Sequence, residues 1–360
     1  LLGTAFARPK KEKRIAEMRI EEKISGKNII FFSVQTFNLE KEIFKKLTEL
    51  GANVDYFDER PSNSNFTKGI IRLKRSVYQH KIDSYYNKIL KESKSKHYDF
   101  LFVNRGEVVP AFFLEQFKLD HPNCVFIFFT WDSFTNHGHP KSILKYFDKK
   151  FTFDSDDAKK YDVTFRPLFF LDAYRQIKNL DNTSNMYDLL FLGTAHSDRY
   201  KISNEVVSWC DKHKLTSFCY YYMHGKLVYF YKKRFDKTFQ EFDYKKLSFK
   251  SLTTNDILEL YKKSNVILDI NHPGQKGLTM RTFESVGSGK KLITTNSEIK
   301  KYPFYNPNNI FVIDRNNIQL DVAFFDLPYQ DIDSKIYESM SIGGWLQELF
   351  VDDEKSVWQN

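Results

Sequence analysis

NIIFFSVQTFNLEKEIFKKLTELGANVDYFDE, residues 28–59, decides how this chain folds. Its first seven residues, NIIFFSV, form a short continuous apolar run, as in a strand buried on both faces. LEKEIFKKLTELG then sets Leu39, Ile43, Phe44, Leu47 and Leu50 at helical spacing, and Gly51 stops the helix. ANVDYFDE follows as the next strand. Strand, helix and strand in this order make a βαβ unit, which implies a parallel pair joined by a right-handed crossover.

The alternation spreads outward from there. A long polar helix is expected over residues 66–95, followed by YDFLFVNRGE, PAFFLEQFKLDHP, NCVFIFFTWDS, SILKYFDKK and FTFDSDD, where buried strands exchange with amphipathic helices. The pattern restarts after residue 175. MYDLLFLGTAHSDR is a strand entering a small polar loop, YKISNEVVSWCDKH a helix and TSFCYYYM a strand. TTNDILELYKKS reads as a helix capped by Thr254, NVILDIN as a strand, residues 278–288 as a helix, and KKLITTN and NIFVID as two more strands. YYYMHGKLVYFYKKRF, residues 220–235, reads as a strand pair with buried aromatics. The expected fold class is α/β, with two Rossmann-like doubly wound domains facing a central cleft. Residues 1–27 form a basic N-terminal extension, 28–175 an acceptor-binding domain, 176–330 a nucleotide-sugar-binding domain, and 331–360 a helical tail that Gly343 and Gly344 let bend. QIKNLDNTSN has linker composition.

Composition narrows the partners. Hydrophobic residues at 41% and aromatics at 17% belong to a folded chain and argue against disorder. Lys plus Arg exceed Asp plus Glu by 55 to 46, a formal charge of +9, which suits an anionic partner (a nucleotide, a phospholipid surface, a pyrophosphate-linked lipid or a nucleic acid) without choosing among them. No apolar run approaches the roughly 18 residues that span a bilayer. Cys124, Cys210 and Cys219 lack CxxC spacing, as expected of buried thiols in a reducing compartment. Residues 1–27 offer a thin apolar stripe of Ile15, Met18 and Ile24, compatible with a solvated helix or with a membrane-surface helix.

Candidate chemistry gathers where strands run into helices. In GQKGLTMRTFESVGSGKKLITTN, residues 274–296, the loop after NVILDIN leads into a helix starting near Leu278 or Thr279. Free N–H groups and the positive dipole end at such a start seat a phosphate. Gly274 and Gly277 allow close backbone approach. Lys276, Thr279 and Arg281 face the anion, and Glu284, one turn on, shares the face of Arg281. Arg281 and Glu284 also fit an ordinary surface pair. Thr295 and Asn296 close the next strand and either line the same crevice or cap a turn. FLGTAHSDR, residues 191–199, repeats the logic with Gly193, Thr194, His196 and Arg199. In the first domain, strand ends offer Gln35, Arg105 with Glu107, and Trp131 with Asp132. A carboxylate there can take a proton from a hydroxyl nucleophile, Asp132 ahead of Glu107, although Asp132 also suits a helix cap. The HGH at 137–139 lacks a third ligand and suits a polar loop better than a metal. DSDD at 154–157 suits a helix start. No RNA-binding signature appears.

FLGTAHSDRY, GLTMRTFESVGSGKKLITTN and FTWDS over two α/β domains together resemble the bacterial GT-B-type glycosyltransferases of lipopolysaccharide and capsule biosynthesis, nearest their CgeB-like branch. The resemblance covers residues 28–330 and is most specific at 191–199 and 275–296. It implies a nucleoside-diphosphate sugar held by the C-terminal domain, with Arg281 near the diphosphate and Glu284 near the ribose. Gly193, Thr194, His196 and Arg199 would lie by the phosphates or the transferred sugar. The acceptor, a glycan or lipid-linked glycan, would lie in the N-terminal domain against Gln35, Arg105 and Trp131. No cofactor and no essential metal are implied, and no nucleic acid. The expected location is the cytoplasm, at the inner face of an anionic membrane. The two glutamates eight residues apart that mark retaining members are not reproduced, since Lys276 and Leu292 stand eight positions either side of Glu284. Retaining and inverting chemistry thus both stay open. A phosphotransferase on a similar acceptor and a non-catalytic nucleotide- or glycan-binding protein are the alternatives.

Overall fold

β1 (Asn28–Ser33) pairs in parallel with β2 (Asn53–Asp58), Asn28 opposite Asn53 through Ser33 opposite Asp58, with the helix Leu39–Glu49 between them. The structure is a computed structural model that describes residues 19–63, 65–180, 186–240, 242–351 and 356–358, excluding the side chains of 65–75. Of the basic extension, residues 1–18 lie outside that description. Residues 19–24 are helical, and Ile20 and Ile24 are buried.

The first unit is a six-stranded parallel sheet in the order β2-β1-β3-β4-β5-β6, adding β3 (Phe100–Asn104), β4 (Val125–Thr130), β5 (Lys149–Thr152) and β6 (Thr164–Phe165). One face of the sheet (Ile30, Phe32, Leu101, Val103, Phe126, Phe128) packs on Tyr78, Ile82, Tyr86 and Ile89 of the helix Asn65–Ser93. Phe113, Leu114 and Phe117 of the helix Ala111–Asp120 join them. A parallel sheet must have its other face covered too. That cover includes the helix Ile342–Phe350, whose Trp345 meets Phe129 edge-on with centroids 4.9 Å apart and whose Phe350 lies 5.2 and 5.6 Å from Phe100 and Phe102. Arg166 Nε, buried, stands 2.8 Å from Glu348 of the same helix.

The first unit therefore runs to Pro167 and takes the chain back at Ile342, while the second spans Leu168–Ser341. The expected boundary at 175/176 falls inside the helix Asp172–Lys178, whose Tyr174 and Ile177 are buried. The expected independent tail is divided: its last helix belongs to the first sheet because the aromatics it covers lie there. Gly343 and Gly344 sit buried inside that helix and mark no bend. Part of the expected linker, 181–185, lies outside the described residues.

The second unit repeats the plan in the order β12-β11-β10-β7-β8-β9, also all parallel. Its strands are β7 (Tyr187–Thr194), β8 (Ser217–Tyr222), β9 (Leu247–Ser248), β10 (Ser264–Asp269), β11 (Lys291–Thr294) and β12 (Ile310–Val312). Leu189, Phe191, Val266, Leu268 and Ile293 pack on Ile202, Val206 and Cys210 of the helix Arg199–Lys212. The helix Met280–Gly287 approaches so closely that a Cβ on Gly287 would stand 2.7 Å from Phe170 Cδ2.

Three local readings change. Residues 220–235 are the end of β8 followed by a helix, Lys226–Phe235, not a strand pair, and its aromatics Phe230, Tyr231 and Phe235 face outward. The cap of the helix Thr254–Lys262 is Thr253, not Thr254, in a capping box with Asp256. Residues 140–146 form two short helical turns in place of one amphipathic helix. Asp154 does cap its helix, accepting from the N–H groups of Asp156 and Asp157.

Candidate functional site

Each sheet has a switch point where the strand order reverses, and the carboxyl ends of the strands there form the natural ligand crevice of an open α/β sheet. In the first unit it lies between β1 and β3, in the second between β7 and β10.

At the first switch point the chain leaves β3 through a strained turn. Arg105 has φ 103° and Gly106 φ 70°, both in the left-handed region, and a Cβ on Gly106 would lie 2.8 Å from Phe128 Cε2. Glu59, fully buried at the end of β2, holds the turn by accepting the N–H of Gly106 (2.8 Å) and that of Glu107. Burial drives the Glu59 carboxyl up to about 8, with those amides pulling the other way. Arg105 then reaches three groups: Asp132 (Nε to Oδ2, 2.8 Å), His137 (Nη2 donating to Nε2, 2.7 Å) and Glu107 (3.5 Å). Glu107 is buried and paired with buried Arg60. Burial alone would raise its carboxyl, but Arg105 and Arg60 more than reverse that and hold it below the usual range.

This separates the two expected bases. Glu107 is clamped between two guanidiniums and favours its charged form, which makes it a structural counter-ion and a poor proton acceptor. Asp132 is part-exposed and oriented by Arg105. Gln35 is exposed in the loop after β1, beside Phe37 and Asn38 with φ 51° and 62°, and Trp131 is half-buried after β4. Of the HGH residues, His137 belongs to the Arg105 network and His139 bonds the Val109 carbonyl through Nε2 (2.8 Å). Among the described residues no cluster suited to a metal ion is found.

At the second switch point β7 ends at Thr194, and residues 195–198 lead into the helix beginning at Arg199. Gly193 is required by packing, since a Cβ there would stand 2.7 Å from the Phe191 ring. Arg199 donates from Nε to the Ile270 carbonyl (2.8 Å) and from Nη1 to the Thr194 carbonyl (3.4 Å), so it bridges the two loops. Among the described residues no carboxylate stands at ion-pair distance from it. Burial, together with Arg281 and Arg315, lowers its pKa against the pull of Asp269. His196 faces His272 with ring centroids 6.0 Å apart. Burial, then Arg199, Lys232 and His272, push the His196 imidazole down to about 3, so it is neutral at physiological pH.

The β10 side is tied into a frame. Asp269 accepts from the hydroxyls of Thr279 (2.7 Å) and Thr282 (2.9 Å), which fixes the start of the helix Met280–Gly287, where Thr279 is the cap. Arg281 stands 3.3 Å from Glu284 and donates to Tyr261 Oη (3.2 Å). Burial works against the Arg281 cation, and Tyr261 and Glu284 outweigh it, holding the guanidinium charged. The pair is thus internal to a cluster with Tyr261 and Tyr174, not an ordinary outer-surface pair. Thr295 donates to Asn271 Oδ1 (2.7 Å), while Asn296 donates to the Lys276 carbonyl (2.9 Å) and caps the turn at 297–301. Both therefore support the loop. Lys276 is exposed, and Gly277, buried, accepts at its carbonyl from Gln275 (3.0 Å).

Sequence reasoning missed Arg315. It follows β12, holds both oxygens of Asp198 from Nη1 (2.9 and 2.8 Å), and bonds Asn271 from Nη2. Its one signal was a charged residue just past a strand end. Glu59 and Arg60, past the end of β2, were missed in the same way.

No protein-family model matches the chain, and no curated protein matches it. Solved structures do. An α-glucosyltransferase in complex with UDP and a 13-mer DNA containing a central A:G mismatch superposes with TM-score 0.57 at 12% identity, over 89% of this chain and 94% of that one. A sucrose-phosphate synthase from Thermosynechococcus elongatus gives 0.50 at 10% identity over 90% and 95% of the two chains. A glycosyltransferase from Rickettsia africae ESF-5 gives 0.50 at 15% identity over 90% and 94%. With two parallel six-stranded sheets in these switch-point orders, the chain has the α/β GT-B fold of two Rossmann-like units.

Proposed function

We propose that this protein transfers a sugar from a nucleoside-diphosphate sugar to a hydroxyl group, with the donor's diphosphate at the β7/β10 switch point of the second unit. The observation that carries this reading is Arg199: a part-buried guanidinium at a switch point, beside Arg281 and Arg315, bonded only to carbonyls among the described residues. A cation kept from water without a carboxylate partner is costly unless an anion completes it. The dipole of the helix Met280–Gly287 adds to that field. The fold it shares with the UDP-bound α-glucosyltransferase supports a uridine nucleotide as the first donor to try.

In the transfer step the acceptor oxygen bonds to the anomeric carbon while the bond from that carbon to the diphosphate oxygen breaks. The electron pair departs with the diphosphate, whose growing charge Arg199, Arg281 and Arg315 stabilise. For inversion, the acceptor proton passes to Asp132, held in place by Arg105. Glu284 is the group for the ribose hydroxyls, and Gln35, Arg105 and Trp131 are the acceptor contacts. A lipid-linked glycan of lipopolysaccharide or capsule is the acceptor class, on the resemblance of residues 191–199 and 275–296 to the CgeB-like branch. Incubation with UDP-, GDP-, CMP- and TDP-sugars tests the reading. Release of one nucleoside diphosphate, accelerated by an acceptor glycan, is expected. Phosphate transfer, or saturable binding without turnover, would replace the proposal with one of its alternatives.

A further inference from the structure

Between β8 and β9 the second unit leaves an apolar helical face uncovered. The helix Lys226–Phe235 anchors itself through Tyr229, which is buried against Phe239 and Tyr244 with ring centroids 5.8 and 5.0 Å away. Outward it turns Leu227, Phe230, Tyr231 and Phe235, which are 85, 61, 67 and 67% exposed, with Val228 at 40%. At helical pitch these five fall within one arc of about 160°. Single exposed hydrophobics need no explanation, but five on one helical face do.

Charge indicates what covers them. No Asp or Glu interrupts residues 226–235, while Lys226, Lys232, Lys233 and Arg234 do. On the same wheel Lys226 falls at one edge of the apolar arc and Arg234 within it, while Lys232 carries its ammonium over the buried Phe239 ring. Lys233 turns back onto the carbonyls of Gln240 and Phe242, which closes the protein side. A helix with aliphatic and aromatic residues on one side and cations at its borders suits the headgroup region of an anionic bilayer, where the apolar face sinks in and cations meet phosphates. A two-fold contact between copies would set the same cations against each other. A nucleic acid would stack bases on Phe230, Tyr231 and Phe235 and meet the cations with phosphates, but would leave Leu227 and Val228 without a use.

We propose that the helix Lys226–Phe235 docks this protein on an anionic membrane surface, with Leu227, Phe230, Tyr231 and Phe235 in the interface and Lys226 and Arg234 at lipid phosphates. This goes beyond the sugar-transfer reading and stands without it. The test is co-sedimentation of the full chain with vesicles of phosphatidylcholine, alone or mixed with phosphatidylglycerol. The parent protein binds the mixed vesicles, and less so as salt rises. The triple variant Leu227→Ser, Phe230→Ser, Phe235→Ser binds at least about tenfold more weakly. Lys226→Gln or Arg234→Gln costs roughly fivefold each. All these positions are exposed, and an unchanged far-UV circular dichroism spectrum with an unchanged thermal unfolding midpoint checks that each variant folds. Equal binding by parent and triple variant, or no preference for anionic vesicles, overturns the proposal. So does a triple variant that keeps vesicle binding but loses dimerisation or a DNA gel shift. Vesicle binding in a protein that ignores every nucleotide sugar would leave this surface standing and remove the donor site.

Discussion

The two switch points share a topology and differ in how their arginines are satisfied. In the first unit each guanidinium is locked on a carboxylate, Arg60 on Glu107 and Arg105 on Asp132, with Glu59 bracing the turn beneath them. In the second unit Arg281 and Arg315 have acidic partners, but Arg199 has only carbonyls, and the histidine beside it is kept neutral. A compensated network holds a carboxylate at a fixed place, which suits proton transfer. A cation bonded only to carbonyls, among the described residues, suits an incoming anion. On the proposed reading one fold carries two site chemistries, and the difference lies in pairing, not in residue types.

The strongest way to break this contrast is to remove the proposed proton acceptor. Asp132→Asn keeps the shape and an oxygen for Arg105, so the donor site is untouched. Loss of a general base costs about 10²–10⁴ in kcat, with affinity for UDP unchanged by calorimetry. Full turnover in that variant would take proton transfer away from the first unit's switch point. Glu107→Gln, at the neighbouring carboxylate, should act on stability instead. It leaves Arg60 buried without its counter-charge, worth about 3–5 kcal/mol in urea unfolding. The pH dependence has a definite sign. Because the folded Glu107 carboxyl is held below its ordinary 4.5, the unfolded chain takes up the proton first as pH falls. Its contribution is complete above 4.5 and drains away below it, so the parent loses more stability than the variant on acidification. Equal acid limbs would show that Glu107 does not carry the charge assigned to it.

Legibility in the sequence follows the range of the interaction. Asn28–Glu59 declared a βαβ unit because its periodicity is local, and the partnership of Arg281 with Glu284 was visible as a spacing of three on a helix. The return of Trp345 and Phe350 to the first sheet was not, since Phe102 and Phe129 lie more than two hundred residues earlier. Arg315 meets Asp198 and Asn271 only because β12 belongs to the sheet containing β7 and β10. The aromatics of 220–235 fit either a strand or a helix, and the ambiguity resolved toward the helix that exposes them. Gly193, expected beside a phosphate, has a packing reason the sequence did not show, the ring of Phe191.

Arg199→Ala sharpens the contrast from the other side. A charge-assisted contact of about 1.5–3 kcal/mol corresponds to a loss of roughly 10- to 100-fold in UDP affinity. Arg199→Lys should recover part of it, because charge is kept while the bridge from Ile270 to Thr194 is lost. Unchanged binding in Arg199→Ala would leave the second switch point without its defining cation, whatever the fate of Asp132.

The smallest effect belongs to His196, and its sign is the informative part. Burial first, and the charge of Arg199 after it, make this imidazole refuse a proton that the unfolded chain accepts. The unfolded group titrates near 6.5 and the folded one only near 3, so native stability declines as pH falls across that window. His196→Gln removes this decline while barely altering UDP affinity, by less than about threefold, since a neutral ring and a neutral amide meet a diphosphate alike. Chemical-shift titration of the imidazole gives the direct reading. A His196 that protonates near 6.5 in the folded protein would mean that burial and the charge of Arg199 are offset locally, and the contrast between the two switch points would lose its neutral histidine.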